Sequence, residues 1–343
     1  MKALVLEEYN NLVYKDVPDP IAGPGEVLIK VMACGICGSD VHGMDGSTGR
    51  RQPPIIMGHE ASGVIACTGE GVMKWKKGDR VTFDSTVYPL NDWHTLKGRY
   101  NLSEGREVVG VSPLEYKRHG AFAEYLAVPE HILYRIPDNV TFEQAAMVEP
   151  AAVAAHAVRL SGIKVGDSAV VMGSGMIGTF VVSMLKAAGA TPLIAADIDP
   201  GKLEMAERYG ADTLINSANE NVAETVRAKT AGRGADFGFE AIGISRTVGT
   251  LIDSVRKGGT AVLVGNVTPS IEFPLQKVVT SEITVQGSCA INGEYEIVLD
   301  MISGGALRVD NMISAVAPLS NGAMWFKKLY DRTGNLNKVI LVP

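Results

Sequence analysis

The second half of the chain alternates short apolar runs with longer helical stretches, beginning near residue 155. The apolar runs predict strands at residues 169–172, 193–196, 213–215, 237–241, 261–264 and 283–286. Predicted helices separate most of these strands and cover residues 177–188, 201–209, 221–229 and 245–256. Six strands that alternate with helices predict a doubly wound parallel sheet, because each parallel strand returns through a crossover.

The first 85 residues have a different pattern, in which glycine and proline separate short β-rich segments. Predicted strands cover residues 3–6, 26–33 and 61–67. This pattern predicts a small β-barrel-like domain whose loops carry the functional residues. A predicted helix near residues 323–330 and a strand at 338–342 return to the same domain.

The chain is therefore predicted to be an α/β protein with two domains. A β-rich domain is expected at residues 1–152 and 290–343, and a parallel-sheet domain at 153–289. Near the boundary, Thr141-Phe142-Glu143-Gln144 has the pattern of a capping box that opens an alanine-rich helix. Glu149-Pro150 is expected to interrupt that helix, which places the glutamate at a junction between elements.

Composition excludes several classes of protein. A net charge of −6 argues against a nucleic-acid surface, which needs a basic face. No apolar run approaches the roughly 20 residues of a membrane span, and the first apolar run is too short for a signal peptide. Four cysteines in 343 residues are too few for a secreted disulfide framework. We therefore expect a reducing, cytoplasmic location.

Candidate metal ligands lie in two segments, Cys34–His42 (CGICGSDVH) and Gly58-His59-Glu60. Cys37 offers a thiolate, His59 an imidazole and Glu60 a carboxylate, a donor set that suits zinc. Cys37 and His59 lie 22 residues apart with no second knuckle nearby, which favours an open catalytic site over a closed structural one. For this pair alone, a buried thiol and an ordinary core histidine remain the alternative.

These two segments closely resemble the zinc-dependent medium-chain dehydrogenase/reductase family, and the resemblance extends over nearly the whole chain. It implies a GroES-like catalytic domain and a Rossmann NAD-binding domain. It also implies that Cys37 and His59 bind a catalytic zinc ion, and that Ser39 and His42 relay the alcohol proton to solvent. The residue that matches Asp40 would support the zinc-site histidine.

Two glutamates compete for the third ligand position in this resemblance. Glu60 would be a ligand, or a close neighbour that exchanges with water during catalysis. Glu149, followed by proline, resembles the Glu-Pro of polyol dehydrogenases, where the glutamate is the third ligand or a neighbour through water. An ordinary polar helix end remains the alternative for Glu149.

A glycine-rich segment, Gly173-Ser174-Gly175-Met176-Ile177-Gly178, lies between the first predicted strand and helix of the second domain. The spacing fits a dinucleotide pyrophosphate on a helix N-terminus. Asp197 ends the next strand 24 residues after Gly173, where a carboxylate binds the ribose hydroxyls and repels a 2′-phosphate. NAD is therefore favoured over NADP. Lys202 follows nearby, and the resemblance places Gly265 on the nicotinamide side.

Residues 86–120 depart from the family pattern. Members with a second, structural zinc have four cysteines here with the spacing C-x2-C-x2-C-x7-C, which falls on Pro89, Asp92, Thr95 and Ser103. We therefore expect one catalytic zinc per chain, no structural zinc, and another means of ordering this lobe, such as a subunit contact. Some members, including animal-type sorbitol dehydrogenases, also lack this metal.

The resemblance implies an NAD-dependent dehydrogenase that oxidises a secondary hydroxyl of a polyol to a ketone. Threonine, a sugar phosphate or a simple secondary alcohol remain alternative substrates. A catalytically silent binding or structural protein on this fold is a further alternative, against which the retained ligands and relay residues argue. A homodimer and a homotetramer are both compatible with the family.

Overall fold

The computed structural model describes residues 1–111, 118–334 and 336–343, and the chain divides into two compact units. The first unit contains Met1–Glu149 and Ile291–Pro343, and the second contains Pro150–Ala290. Within the described residues, we find no helix with the length and hydropathy needed to cross a lipid bilayer.

The described residues form strands along the whole chain. In chain order they are β1 (Lys2–Glu8), β2 (Asn11–Asp16), β3 (Glu26–Gly35), β4 (Ile55–Ile56), β5 (Glu60–Thr68), β6 (Arg80–Phe83), β7 (Thr86–Val87), β8 (Glu107–Val108), β9 (Tyr125–Pro129), β10 (Leu133–Arg135), β11 (Ala169–Met172), β12 (Leu193–Asp197), β13 (Thr213–Asn216), β14 (Ala235–Glu240), β15 (Val255–Leu263), β16 (Thr284–Gly287), β17 (Ile313–Pro318) and β18 (Lys338–Val342).

The described residues form helices in both units. In chain order they are α1 (Gly38–Gly43), α2 (Trp93–Leu96), α3 (Phe142–Ala146), α4 (Val148–Ser161), α5 (Met176–Ala187), α6 (Pro200–Arg208), α7 (Val222–Lys229), α8 (Ser245–Ser254), α9 (Leu275–Thr280), α10 (Tyr295–Ser303) and α11 (Gly322–Tyr330). Short 3₁₀ helices cover Tyr100–Leu102, Glu130–Ile132, Asp310–Met312 and Leu319–Asn321.

Strand β3 is the centre of the main sheet of the first unit. It forms antiparallel pairs with β5, β9 and β18, in a sheet ordered β10-β6-β5-β3-β18-β17. Strand β18 comes from the C-terminal segment, so the last strand of the chain returns to this unit as predicted. Gly35, at the end of β3, lies opposite both Glu60 and Ile340. This register brings the start of β5 close to the C-terminal strand.

The second unit contains the predicted parallel sheet. Its order is β13-β12-β11-β14-β15-β16, and every neighbouring pair is parallel. The chain places successive strands on opposite sides of β11, so the order reverses there. Ligands of doubly wound sheets bind beyond the carboxyl end of the strands at this switch point. The glycine-rich segment follows β11 directly.

Helix α8 is shorter than predicted. The expected helix ran to Arg256, but α8 ends at Ser254 and β15 begins at Val255, which pairs with Ala235 of β14. The Arg256 side chain donates a hydrogen bond to Asp236 Oδ1 at 2.5 Å. Cross-strand contacts therefore outweigh local helix propensity at this position.

Two smaller differences concern helix boundaries. Helix α9 was not predicted, because its six residues are too few to establish a helical period; Val278 packs against the core, whereas Leu275 and Val279 are exposed. The capping box at Thr141 is present, but the helix breaks at Met147, two residues before the expected position. Glu149 consequently lies in the first turn of α4, where the following proline is tolerated.

The described part of the cysteine-free lobe is ordered by hydrogen bonds and stacked rings. Asp92, at the second cysteine position of the family pattern, caps α2 by accepting the backbone N–H of His94 at 2.8 Å. Tyr100 stacks on Tyr88 at 4.3 Å and donates a hydrogen bond to Asp84 at 2.7 Å. These contacts hold the lobe to its own unit. Residues 112–117 lie outside the described residues, and a subunit contact stays a prediction.

Replacing Asp84 is expected to change how stability depends on pH. Burial raises the pKa of Asp84 to about 6 from 3.8, so the folded protein binds this proton more tightly than the unfolded chain. Stability is therefore lost as pH rises from about 4 to 6. Relative to wild type, Asp84→Asn should gain about 3 kcal/mol across this interval, at about 1.4 kcal/mol per pKa unit.

Urea unfolding of both proteins at a series of pH values measures this gain. The exposed Asp300 provides the matched control, because Asp300→Asn also removes one carboxylate. A constant stability difference between Asp84→Asn and wild type from pH 4 to 7 would contradict the prediction.

Candidate active site

Cys37, His59 and Glu60 meet in the first unit. One ligand atom of each lies within 4.8 Å of the other two, and this is the only such group of three among the described residues. Cys37 immediately precedes α1, while His59 precedes β5 and Glu60 begins it. The pairing of β3 with β5 brings the two sequence segments together, since Gly35 lies opposite Glu60.

Cys37 is held by the start of helix α1. Its sulfur accepts the backbone N–H of Ser39 at 3.5 Å and the Ser39 hydroxyl at 3.3 Å. Asp40 completes a capping box by accepting the backbone N–H of Cys37 at 3.4 Å. The local sequence therefore presents the sulfur, the serine hydroxyl and the aspartate from one helical turn.

The imidazole of His59 is oriented by Asp40. Its Nδ1 lies 3.4 Å from Asp40 Oδ1, and both side chains are buried. Burial alone would raise the pKa of Asp40, but the charges of His59 and Arg51 hold that pKa well below its usual range. With Nδ1 turned towards a carboxylate, Nε2 is available for a metal, the arrangement found around many ligating histidines.

Glu60 forms a buried ion pair with Lys338, which we did not predict. Both side chains are 1% exposed, and the Lys338 ammonium donates to Glu60 Oε2 and to the Ile36 carbonyl, the latter at 3.0 Å. Gly35 leaves room for this pair, because a Cβ there would lie 2.5 Å from Glu60 Oε2. The only indication in the sequence was that Lys338 begins an apolar strand. A lysine at that position is equally typical of an ordinary solvent-exposed strand end.

Glu149 lies near this group but is not one of the three clustered ligands. Its pKa is raised to about 8, mainly by burial; the positive charges of His59 and Lys338 oppose the shift, and the negative charges of Glu60 and Asp84 add to it. Its role as a ligand stays a prediction. The structure brings Glu60 into the cluster of donor atoms.

The residues present fit a zinc ion. Sulfur, imidazole nitrogen and carboxylate oxygen are its usual protein donors, and His59 and Glu60 are buried. Cys37 is partly exposed, which leaves one side of the group accessible. Three protein donors with one accessible side are typical of a catalytic zinc site rather than a structural one.

The predicted relay residues lie on one face of α1. Ser39 and His42 are three residues apart, a spacing that places side chains on the same side of a helix. Ser39 is half-buried beside the Cys37 sulfur, whereas His42 is exposed. A second unpredicted residue, Arg51, has a buried guanidinium against Ser39 and Asp40.

A separate cavity of about 540 Å³ in the second unit contains several predicted cofactor residues. Gly173, Gly175, Asp197 and Lys202 all line it. Asp197 Oδ2 accepts the backbone N–H of Ser174 at 2.7 Å. The carboxylate is thereby held against the glycine-rich segment, and its remaining lone pairs are available to a ligand.

The glycines of this segment are required by close backbone packing. Gly173 has φ +90°, and a Cβ on Gly178 would lie 1.7 Å from the Gly173 carbonyl oxygen. Met176 and Ile177 form the first turn of α5, whose N-terminal N–H groups can bind a phosphate. Gly265 follows β15, and its Cβ would lie 2.3 Å from the Ile242 backbone, so it permits two loops to approach.

Comparisons with known proteins cover both units. The sequence matches the family described as "Zinc-binding dehydrogenase" over residues 177–304 and the one described as "Alcohol dehydrogenase GroES-like domain" over residues 23–138. It is similar to D-xylulose reductase A of Aspergillus niger, with 34% identity over 337 residues, covering 95% of this chain and 93% of that protein.

Two further similarities span nearly the whole chain. (R,R)-butanediol dehydrogenase of Bacillus subtilis is 35% identical over 325 residues, covering 92% of this chain and 91% of that protein. The solved structure of an alcohol dehydrogenase from Thermus sp. ATN1 superposes with a TM-score of 0.93 at 30% identity, covering 100% of this chain and 99% of the other. These matches confirm the predicted fold class.

Proposed function

The chain belongs to the zinc-dependent medium-chain dehydrogenase family, and from this premise we propose that it oxidises a secondary hydroxyl of a polyol to a ketone. The enzyme is a zinc-dependent oxidoreductase that uses NAD. The observation that carries the proposal is the group of Cys37, His59 and Glu60, which lies beside the hydroxyl of Ser39.

The residues divide the chemistry between them. A zinc ion held by Cys37, His59 and Glu60 would act as a Lewis acid that lowers the pKa of the substrate hydroxyl. Ser39 accepts the proton that this hydroxyl loses, and His42, exposed on the same helix face, passes it to solvent. Glu149 is proposed as the alternative third ligand, or as a neighbour through water.

The cavity in the second unit is the proposed NAD site. The segment Gly173–Gly178 and the N-terminus of α5 would bind the pyrophosphate, with Met176 and Ile177 in the first turn. Asp197 would accept the ribose hydroxyls, and a 2′-phosphate would face its charge, which favours NAD over NADP. We assign Lys202 to the same end of the cofactor and Gly265 to the nicotinamide end.

The substrate class rests on the relatives. One is named for a ketose and another for a diol, and both compounds carry a hydroxyl beside the carbon that is oxidised or reduced. A polyol offers the same chemical group. Threonine, a sugar phosphate and a simple secondary alcohol enter the test as alternatives.

We further propose that the first unit is the catalytic domain and the second the NAD-binding domain. A cytoplasmic location is proposed from the sequence, because four cysteines in 343 residues are too few for a secreted disulfide framework. A homodimer or homotetramer is proposed from the family alone.

The test is NAD reduction followed by absorbance across polyols, sugar phosphates, threonine and simple alcohols. Each compound is assayed with the zinc-loaded enzyme, the chelator-stripped enzyme and the stripped enzyme given zinc again, and each in parallel with NADP. We expect polyol oxidation that is lost on stripping, returns with zinc, and is faster with NAD. Zinc-dependent turnover confined to threonine or a sugar phosphate would overturn the substrate class, and activity indifferent to zinc would overturn the mechanism.

A further inference from the structure

Arg51 is the largest fully buried side chain of the protein's described residues, and it lies against the predicted relay. It is 1% exposed, and its Nη2 donates to Asp40 Oδ1 at 2.7 Å and to Ser39 Oγ at 3.3 Å. We propose that Arg51 is a positioning residue that directs the Ser39 hydroxyl for proton transfer and holds Asp40 against His59. The inference rests on the proposed function, because it assigns a role within the same site.

The first step concerns the direction of the Ser39 hydroxyl. A serine hydroxyl has one hydrogen and two lone pairs, whereas an arginine side chain can only donate. The N–H of Arg51 therefore occupies one lone pair of Ser39 Oγ. One lone pair and one hydrogen remain, so the hydroxyl can accept one proton and release another. Because Arg51 cannot accept a hydrogen bond, the hydroxyl hydrogen is available to other acceptors, such as the Cys37 sulfur 3.3 Å away.

The second step concerns the metal-ligand histidine. Arg51 Nη2 and His59 Nδ1 lie near the same oxygen of Asp40. Their distances to Oδ1 are 2.7 Å and 3.4 Å, respectively. Asp40 is 0% exposed, and a buried carboxylate needs a partner that supplies both charge and hydrogen bonds. The guanidinium supplies both and fixes the oxygen that orients the imidazole. One cation thereby positions the relay and a metal ligand together.

The third step is that the surrounding backbone is shaped to hold this side chain. A Cβ on Gly43 would lie 2.5 Å from Arg51 Cγ, so only glycine leaves the required space. The Tyr9 hydroxyl donates to the Arg51 carbonyl at 3.1 Å, and Arg51 Nη1 donates to the Arg50 carbonyl at 3.3 Å. These contacts anchor both ends of the residue.

The test compares Arg51→Lys and Arg51→Met with Arg50→Met, which removes a neighbouring exposed arginine. Lysine retains the charge but not the planar fork that reaches two acceptors. Arg51→Lys should therefore keep zinc and the KM for NAD but lower kcat by about tenfold or more, which is part of the roughly 10²–10⁴-fold that a positioned proton-transfer group contributes. The solvent deuterium isotope effect on kcat should rise, because proton transfer becomes slower.

A double variant separates positioning from general damage. If Arg51 acts through the serine, Arg51→Lys should have little further effect on kcat when Ser39→Ala is already present, because effects of residues that act as a unit are not additive. An equal loss in both backgrounds would overturn the proposal, and so would wild-type kcat in Arg51→Lys.

A zinc-binding measurement tests the same residue without turnover. Arg51→Met should raise the zinc dissociation constant, measured by competition with a chromogenic chelator, by about 10- to 100-fold, the usual effect of losing support for a ligand. Arg50→Met should leave it unchanged, and circular dichroism checks that each variant is folded. An unchanged constant in folded Arg51→Met would overturn the proposal. A wild type that binds zinc but oxidises no alcohol would instead overturn the proposed function.

Discussion

Cys37→Ser should lose zinc and reduce turnover by about a thousandfold or more, while NAD binding is retained. The thiolate is one of three donors in the cluster, and a neutral hydroxyl is a poor ligand for zinc. A Lewis acid supplies several kcal/mol of stabilisation, and each 1.4 kcal/mol corresponds to about tenfold in rate. The cavity proposed for NAD is lined by residues of the second unit only, so the substitution leaves it intact.

Serine is a more specific substitution here than alanine, because it removes the thiolate but keeps an acceptor for the helix cap. The Cys37 sulfur caps helix α1, and a serine hydroxyl can accept the same N–H, so the helix should remain folded. The measurements are zinc content by elemental analysis after dialysis, kcat on the best substrate, and the NAD dissociation constant by fluorescence titration. Cys67→Ser, at an exposed cysteine, should match wild type in all three. Undiminished turnover in zinc-free Cys37→Ser would contradict the zinc mechanism.

Lys338→Met should destabilise the first unit by about 3–5 kcal/mol, the usual cost of leaving one partner of a buried ion pair without its counter-charge. Glu60 and Lys338 are each 1% exposed, so water cannot replace the lost ammonium at the carboxylate. The carbonyl of Ile36 would lose its donor as well. A methionine side chain has a similar length and can fill the space, which limits the contribution from packing.

Urea unfolding in the presence of a chelator measures this loss with the metal state held constant. The double variant Lys338→Met with Glu60→Gln should recover most of the stability, because the uncompensated charge is gone. Lys2→Met provides the control, since Lys2 pairs with Asp16 at an exposed position and should contribute only about 0–1 kcal/mol. Equal losses in the single and double variants would show that burial of the unpaired carboxylate is not the cause.

Several elements could be predicted because their signals are local. The strand at 169–172 coincides with β11, and the strand at 338–342 coincides with β18. A short run of apolar residues bounded by glycine or charge carries enough information to locate a buried strand. The capping box at Thr141 could likewise be predicted from four consecutive residues. Helix α9 could not be predicted in this way, because six residues are too few to establish a helical period.

The sequence by itself determined the fold class, the family and the set of candidate donors. Cys37 and its capping residues lie within one helical turn, and the spacing of Gly173, Gly175 and Gly178 follows from the turn that leads from a strand into a helix. Such patterns involve only residues close in sequence, because the local backbone conformation restricts which residue types can occupy each position. The chemistry of these residues could therefore be inferred before any tertiary contact was known.

Only the tertiary structure decided which charges surround the donors. Lys338 lies 278 residues from its partner Glu60, and Arg51 lies 11 residues from Asp40 across an irregular loop, so no local pattern joins either pair. Both cations are buried because β18 pairs with β3 and because Gly43 leaves space for the aliphatic part of the Arg51 side chain. The physical reason is burial: a charge removed from water must be paired, and its partner is whichever group the fold places beside it.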